Sequence, residues 1–187
     1  MISTAEFRNG LTILLDNEVY QIVEFQHVKP GKGGAFVRTK IRQLRSGKVI
    51  DKTFRAGEKM EQAILERKPL EFLYANGDEL FFMDTETFEQ MSLHRKVLGD
   101  QVRFLKENNQ VIIAFHGTDI IGVELPQTIE VKVVETDPGL KGDTASGGSK
   151  PAKIETGAVV TVPLFINEGD TIKVDTRSGD YLERVTS

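Results

Sequence analysis

The sequence predicts an all-β protein built from several small barrels or sandwiches. Three observations lead there. Short apolar and β-branched runs recur along the chain, separated by turn residues. No long stretch has the spacing of an amphipathic helix. A length of 187 residues suffices for two or three small domains, each with its own core.

The elements follow in order. Residues 11–15 read as a strand closed by a turn at Asp16-Asn17. Residues 18–29 are rich in Val, Ile, Tyr and Phe and form a longer strand. Pro30 fixes φ and donates nothing to a ladder, so it marks the strand exit. Gly31, Gly33 and Gly34 permit the positive φ that short loops often need. Residues 35–44 alternate apolar and cationic side chains, the pattern of a half-buried strand, which completes a hairpin. Arg45-Ser46-Gly47-Lys48 is the next turn and residues 49–54 the next strand. Residues 57–64 read as a short helical turn before Lys68-Pro69.

A second unit starts near Leu65. Residues 70–74 and 79–83 flank Asn76-Gly77, a strong hairpin signal. Residues 84–90 read as one helical turn capped by Asp84 or Thr85. Residues 102–105, 110–115 and 120–125 supply further strands, and Pro126 ends the run. A third unit starts near Ile129, where Ile129, Val131 and Val133 alternate with Glu130 and Lys132. A loop of small residues spans 137–151. Strands resume at 158–166, where Pro163 implies an edge or bulge, and at 171–175 and 181–185. The expected domains are 1–64, 65–128 and 129–187, in a monomer.

Charge is unevenly shared. Net charge is −4, but residues 1–64 carry 11 Lys or Arg against 7 Asp or Glu. Residues 65–128 carry 6 against 11, and residues 129–187 carry 7 against 10. Only the first unit suits a polyanion along its whole length, and the acidic remainder limits nonspecific binding to RNA. Residues 27–59 hold ten Lys or Arg and two acidic residues, Asp51 and Glu58. Arg38, Lys40 and Arg42 are two apart and share a strand face, with Val37 and Ile41 turned to a core. Taken alone, a lysine at a hairpin tip reads as a solvated side chain. A cationic stripe beside an exposed tip cation, Lys32, suits an RNA backbone instead. The 137–151 loop has two readings. One is a flexible connection. The other is RNA contact through small hydroxylated residues and amides flanked by Lys141 and Lys150.

Enzyme signatures are missing. The chain has no Cys, which excludes disulfides, thiolate metal sites and cysteine nucleophiles and fits a reducing cytoplasm. His27, His94 and His116 lack metal-ligand spacing, and the carboxylates are scattered, so no metal is expected. Residues 142–149 superficially resemble a phosphate loop, but Gly148 stands where its lysine belongs and Pro151 follows instead of a helix. No cofactor is expected. The N-terminus lacks the pattern of a signal peptide, and no apolar run is long enough for a membrane helix.

Two runs carry a family resemblance: Lys29-Pro30-Gly31-Lys32-Gly33-Gly34-Ala35-Phe36 and Thr53-Phe54-Arg55-Ala56-Gly57-Glu58-Lys59. Others follow in order: Phe82-Met83-Asp84, Phe88-Glu89-Gln90, Gly122-Val123-Glu124-Leu125-Pro126, Gly139-Leu140-Lys141-Gly142-Asp143-Thr144, Glu155-Thr156-Gly157-Ala158, Val162-Pro163-Leu164-Phe165-Ile166 and Val174-Asp175-Thr176-Arg177. Over its full length the chain resembles the bacterial elongation factor P family. The resemblance implies an N-terminal KOW/SH3-like barrel and two OB-like barrels, in an L shaped like a tRNA. It implies a cytoplasmic factor, not an enzyme, bound to the ribosome between the peptidyl and exit sites. There it stimulates peptide-bond synthesis, above all at consecutive prolines. The implied tip residue is Lys32, reaching along the peptidyl-tRNA toward the peptidyl-transferase centre and supported by Lys29, Pro30, Gly31, Gly33 and Gly34. In many members that lysine is extended covalently, which makes a lysine-modifying enzyme a further partner. Arg38, Lys40, Arg42 and Arg55 are the candidate RNA-binding cations. Lys141, Gly142, Asp143, Thr144, Ser146, Gly147 and Gly148 would lie near the small subunit. Two alternatives stay open: a paralogue of the same fold with another ribosomal task, and a standalone RNA-binding module.

Overall fold

Side-chain alternation along short strands builds almost the whole protein. The structure is a computed structural model and describes residues 1–139 and 148–186. Among the described residues are sixteen strands and three short 3-10 turns.

The first sheet contains β1 (Ile2–Ser3), β2 (Thr12–Leu15), β3 (Glu18–Val28), β4 (Phe36–Gln43), β5 (Val49–Arg55) and β6 (Lys59–Gln62). Its order is β1-β6-β2-β3-β4-β5, with antiparallel neighbours. Asp16 (φ 50°) and Asn17 (φ 63°) both take left-handed backbone in the two-residue loop joining β2 to β3, which matches the right-handed strand twist. Ile13, Ile22, Val37, Ile41 and Phe54 point inward and are fully buried. Phe7 meets Phe54 edge-on, with ring centroids 5.4 Å apart. Residues 57–64 are not the helical turn that the sequence suggests. They contain β6, which pairs with both β1 and β2. Met60 is buried between exposed Lys59 and Glu61, a two-residue period, and the unpaired edges of β1 and β2 override local helix preference.

The second sheet contains β7 (Glu66–Asn76), β8 (Glu79–Asp84), β9 (Gln90–His94), β10 (Gln110–His116) and β11 (Asp119–Glu124), in the order β11-β10-β7-β8-β9. Gly77, at φ 62°, opens the loop between β7 and β8. Leu70, Phe72, Leu80, Phe82 and Leu93 are buried. Two expectations fail here. Residues 84–90 form a tight turn, not a helix, because Asp84 Oδ1 accepts from the amides of Glu86 (2.8 Å) and Thr87 (3.2 Å) and closes the chain on itself. The turn leads into β9, a strand the sequence pattern did not suggest. Residues 102–105 are not a strand either. Most of them lie in the 3-10 turn Gly99–Phe104, where the Leu105 amide reaches back to the Val102 carbonyl at 3.1 Å.

The third sheet contains β12 (Thr128–Thr136), β13 (Ser149–Ile154), β14 (Val159–Pro163), β15 (Thr171–Asp175) and β16 (Tyr181–Val185). Its order is β14-β13-β12-β15-β16, so Pro163 ends an edge strand, where its missing N–H is tolerated. β13 begins at Ser149, so the connection expected over 137–151 is shorter, and Pro151 pairs with Thr161.

Packing divides the chain into two compact units, Met1–Lys68 with Ile113–Gly122, and Pro69–Ile112 with Val123–Ser187. In the first, Ile121 and Ala114 join Val19 and Ala63 in a small second core. In the second, Phe104 leaves its 3-10 turn to enter the apolar cluster of Ile129, Val131, Ile154, Ile172 and Val174. Its ring also limits position 179, where a Cβ would lie 3.2 Å from Cζ. Among the described residues no helix is long and apolar enough to cross a membrane. Phe104→Ala removes a ring that is 4% exposed and is expected to cost about 3–5 kcal/mol of stability, measured by denaturant unfolding. An unchanged unfolding midpoint would show that the ring is not part of that core.

Candidate nucleic-acid interface

Beyond a register shift after Ile22, strands β3 and β4 pair without a break from Glu24 and Lys40 to Val28 and Phe36, and β5 ends level with them at Arg55, opposite Phe36. Residues 29–35 therefore extend beyond the last rung of all three strands. The Ala56 amide donates to the Ala35 carbonyl at 3.0 Å and fixes the returning limb. Lys29, Pro30, Gly31, Lys32, Gly33 and Gly34 are all exposed. Of the three glycines only Gly33 uses left-handed backbone, at φ 103°. A Cβ on Gly31 or Gly34 would meet nothing within 4 Å, so those two act by leaving Lys32 uncrowded. Among the described residues Lys32 has no hydrogen bond or ion pair, so its amine is a free donor at the tip.

Below the tip, β4 presents Arg38, Lys40 and Arg42 outward while Val37, Thr39 and Ile41 face the core. Thr39 satisfies its buried hydroxyl by donating to the Lys52 carbonyl at 2.6 Å. The Arg38 guanidinium lies 5.4 Å from the centroid of the Phe36 ring. Phe36 and Arg55 are directly paired, so Arg38, Phe36 and Arg55 form one group at the base of the tip loop. Lys40 differs from its neighbours. Its Nζ sits 3.4 Å from Glu24 Oε2, and Asp51 faces it from β5. The sequence did not reveal Glu24 as a partner, because the register shifts between Ile22 and Glu24. That irregularity places Glu24 opposite Lys40 on the outer face. The stripe is thus two arginines flanking a lysine partly offset by an exposed ion pair.

Lys141, Gly142, Asp143, Thr144, Ser146 and Gly147 lie outside the described residues. Gly148 is described. A Cβ there would come 2.6 Å from Leu164 Cδ1, and one on Gly139 would overlap the Leu164 carbonyl oxygen. The limbs at 139 and 148 are thus both seated on Leu164. Lys150 is not the exposed flanking cation expected from sequence. It is 7% exposed, and its Nζ donates to the Asp137 carbonyl. The Thr136 hydroxyl donates to the Pro151 carbonyl at 2.9 Å and ties the same two limbs.

No group of three or more metal-ligating side chains occurs among the described residues. His27 stacks edge-on to Phe25, with centroids 5.7 Å apart. Asp175 is held below the usual carboxylate range by the amides of Ser178 (3.0 Å) and Arg177 (2.8 Å), a turn fastening on exposed surface.

Three family models match the chain in sequence: Elongation factor P (EF-P) KOW-like domain over residues 3–60, Elongation factor P (EF-P) OB domain over 65–123, and Elongation factor P, C-terminal, over 129–184. The elongation factor P of Natranaerobius thermophilus is 60% identical over 99% of this chain and 98% of its own. The chain belongs to the elongation factor P family. It is accordingly a translation elongation factor with KOW-like and OB barrels. That of Moorella thermoacetica is 56% identical over 98% of this chain and all of its own. Among solved structures, the eukaryotic translation initiation factor 5A from Methanococcus jannaschii matches 65% of this chain and 94% of its own. Its TM-score is 0.53 at 22% identity, a likeness of fold.

Two outcomes follow from the geometry. In a salt series of ribosome binding, Arg38→Ala and Arg42→Ala should each flatten the slope by about one charge, and Lys40→Ala should do so less because Glu24 already partly offsets it. Equal slopes for all three variants would contradict the pairing. Lys150→Ala should cost about 1–3 kcal/mol of stability, read by thermal unfolding, with the salt slope unchanged.

Proposed function

We propose that this elongation factor binds the ribosome between the peptidyl and exit sites and stimulates peptide-bond synthesis, especially where consecutive prolines stall it. The observation that carries this reading is Lys32, an unpartnered amine on an exposed tip whose supporting strands are anchored in a buried core. Family membership supports the same reading.

The proposed mechanism is positional. Proline is a poor acceptor and a stiff donor, so the reacting groups align badly. A rigid hairpin that holds the peptidyl-tRNA end restores the orientation term without supplying a catalytic group. Lys32 contacts that end in this scheme. The loop residues Lys29, Pro30, Gly31, Gly33 and Gly34 set its course, and Arg38, Arg42, Arg55 and, more weakly, Lys40 take phosphates. The residues from Lys141 to Gly148 are assigned to the small-subunit contact. The factor acts as a cytoplasmic monomer with domains 1–64, 65–128 and 129–187, and a lysine-modifying enzyme extends Lys32.

Lys32→Ala is expected to leave stability within about 0.5 kcal/mol of wild type, since the side chain is exposed. Synthesis through Pro-Pro-Pro should fail while ordinary sequences are read almost normally. Lys32→Arg keeps the charge but cannot accept an amine-directed extension. The measurement is reporter yield with and without the proline run. Equal polyproline yields from Lys32→Ala and wild type would overturn the proposal.

A further inference from the structure

Residues 69–94 contain six Asp or Glu and no Lys or Arg. They form most of β7 and all of β8 and β9. Within this acidic stretch, aromatic surface is exposed. Phe88, in the turn between β8 and β9, is 71% exposed and sits at φ 60°. A bulky residue in left-handed backbone is an outlier that Asn or Gly would relieve.

The turn is firmly held. The Phe88 amide donates to the Asp84 carbonyl at 2.8 Å, and the Asp84 amide to the Glu89 carbonyl at 2.9 Å. The Asp84 carboxylate takes two further amides. A rigid, strained turn thus presents a ring to solvent, between exposed Glu86 and Glu89. Across the neighbouring β7–β8 pair, Tyr74 is 46% exposed and stacks on Phe81, with centroids 4.7 Å apart and planes 18° apart.

Phosphates are disfavoured along residues 69–94, which carry carboxylates and no Lys or Arg; the cations nearest in the sheet, Arg67 and Lys68, lie on β7 before Leu70, the partner of Asp84. Guanidinium groups suit it. Ring faces attract them, and carboxylates accept their paired N–H donors. We propose that the β8–β9 turn, anchored by Phe88 and framed by Glu86 and Glu89, docks an arginine-bearing protein surface of the ribosome. The proposal rests on the reading that this factor works on the ribosome, and it adds a contact to protein where the first sheet is assigned contacts to RNA. An exposed aromatic already fixed in place loses little entropy on binding, which makes it an effective anchor.

The test compares wild type, Phe88→Asn and the double variant Glu86→Gln/Glu89→Gln in ribosome binding. A photo-crosslinking amino acid is placed at position 88 in the full chain. Phe88→Asn should keep or raise the melting temperature, because Asn accepts the backbone, yet weaken ribosome binding roughly tenfold. The double variant should slow association and flatten its salt dependence. The crosslink should form to a ribosomal protein. Binding unchanged in both variants, or crosslinks to RNA alone, would overturn the proposal while leaving the ribosomal function standing. Failure of wild type itself to bind ribosomes would instead remove the functional reading on which it rests.

Discussion

The inward row Val37, Thr39 and Ile41 is the constraint on which the Lys32 hairpin depends. Because strand side chains alternate, burying that row forces Arg38, Lys40 and Arg42 outward. A slip of one residue would bury three cations and expose the core, so the hairpin register is strongly specified. The same row fixes where β4 begins, and hence where residues 29–35 leave the sheet. The position of Lys32 is therefore set by apolar packing several residues away. The single buried hydroxyl in the row, on Thr39, is satisfied within the sheet and adds no penalty.

Charge is arranged with comparable economy. The basic residues of 1–64 are concentrated on the first sheet, while 65–128 is acidic. Within the basic face, Glu24 and Asp51 temper the centre and leave Arg38, Arg42 and Arg55 more free toward the tip and the far end. A uniformly basic chain would bind any RNA. A patch bounded by its own acids and attached to an acidic body is instead suited to a polyanion whose shape also fits.

Much of this was legible in the sequence where the cause is local. The two-residue period of 36–43 and the Asn76-Gly77 turn each act within a few residues and appear where expected, whereas of the three glycines around Lys32 only Gly33 takes the positive φ that the sequence suggests. The readings that failed have distant causes. β6 exists because it fills the place between β1 and the edge of β2 that β3 leaves open. The 84–90 turn is closed by one carboxylate accepting two amides, which composition does not distinguish from a helix cap. Residues 102–105 have strand-like composition, but Phe104 is drawn into the core of the third sheet. Lys150 reads as a surface cation until Asp137 is seen to fold back over it. Glu24 becomes a partner of Lys40 only through an irregularity in register. Of the family-implied small-subunit loop, Gly148 alone falls within the described residues.

The edges of the third sheet have a further consequence. An open sheet rich in Val and Ile offers its outermost strands as templates for other chains. Here β14 and β16, though last in the hydrogen-bonded order, curl toward each other. β14 ends at Pro163, which has no amide to donate, and the Arg184 guanidinium lies 5.6 Å from the centroid of the exposed Phe165 ring. The edges are short and one is interrupted, which limits the ladder they offer to a foreign strand, while Val159 on β14 and Leu182 on β16 remain the apolar points at which such pairing would start.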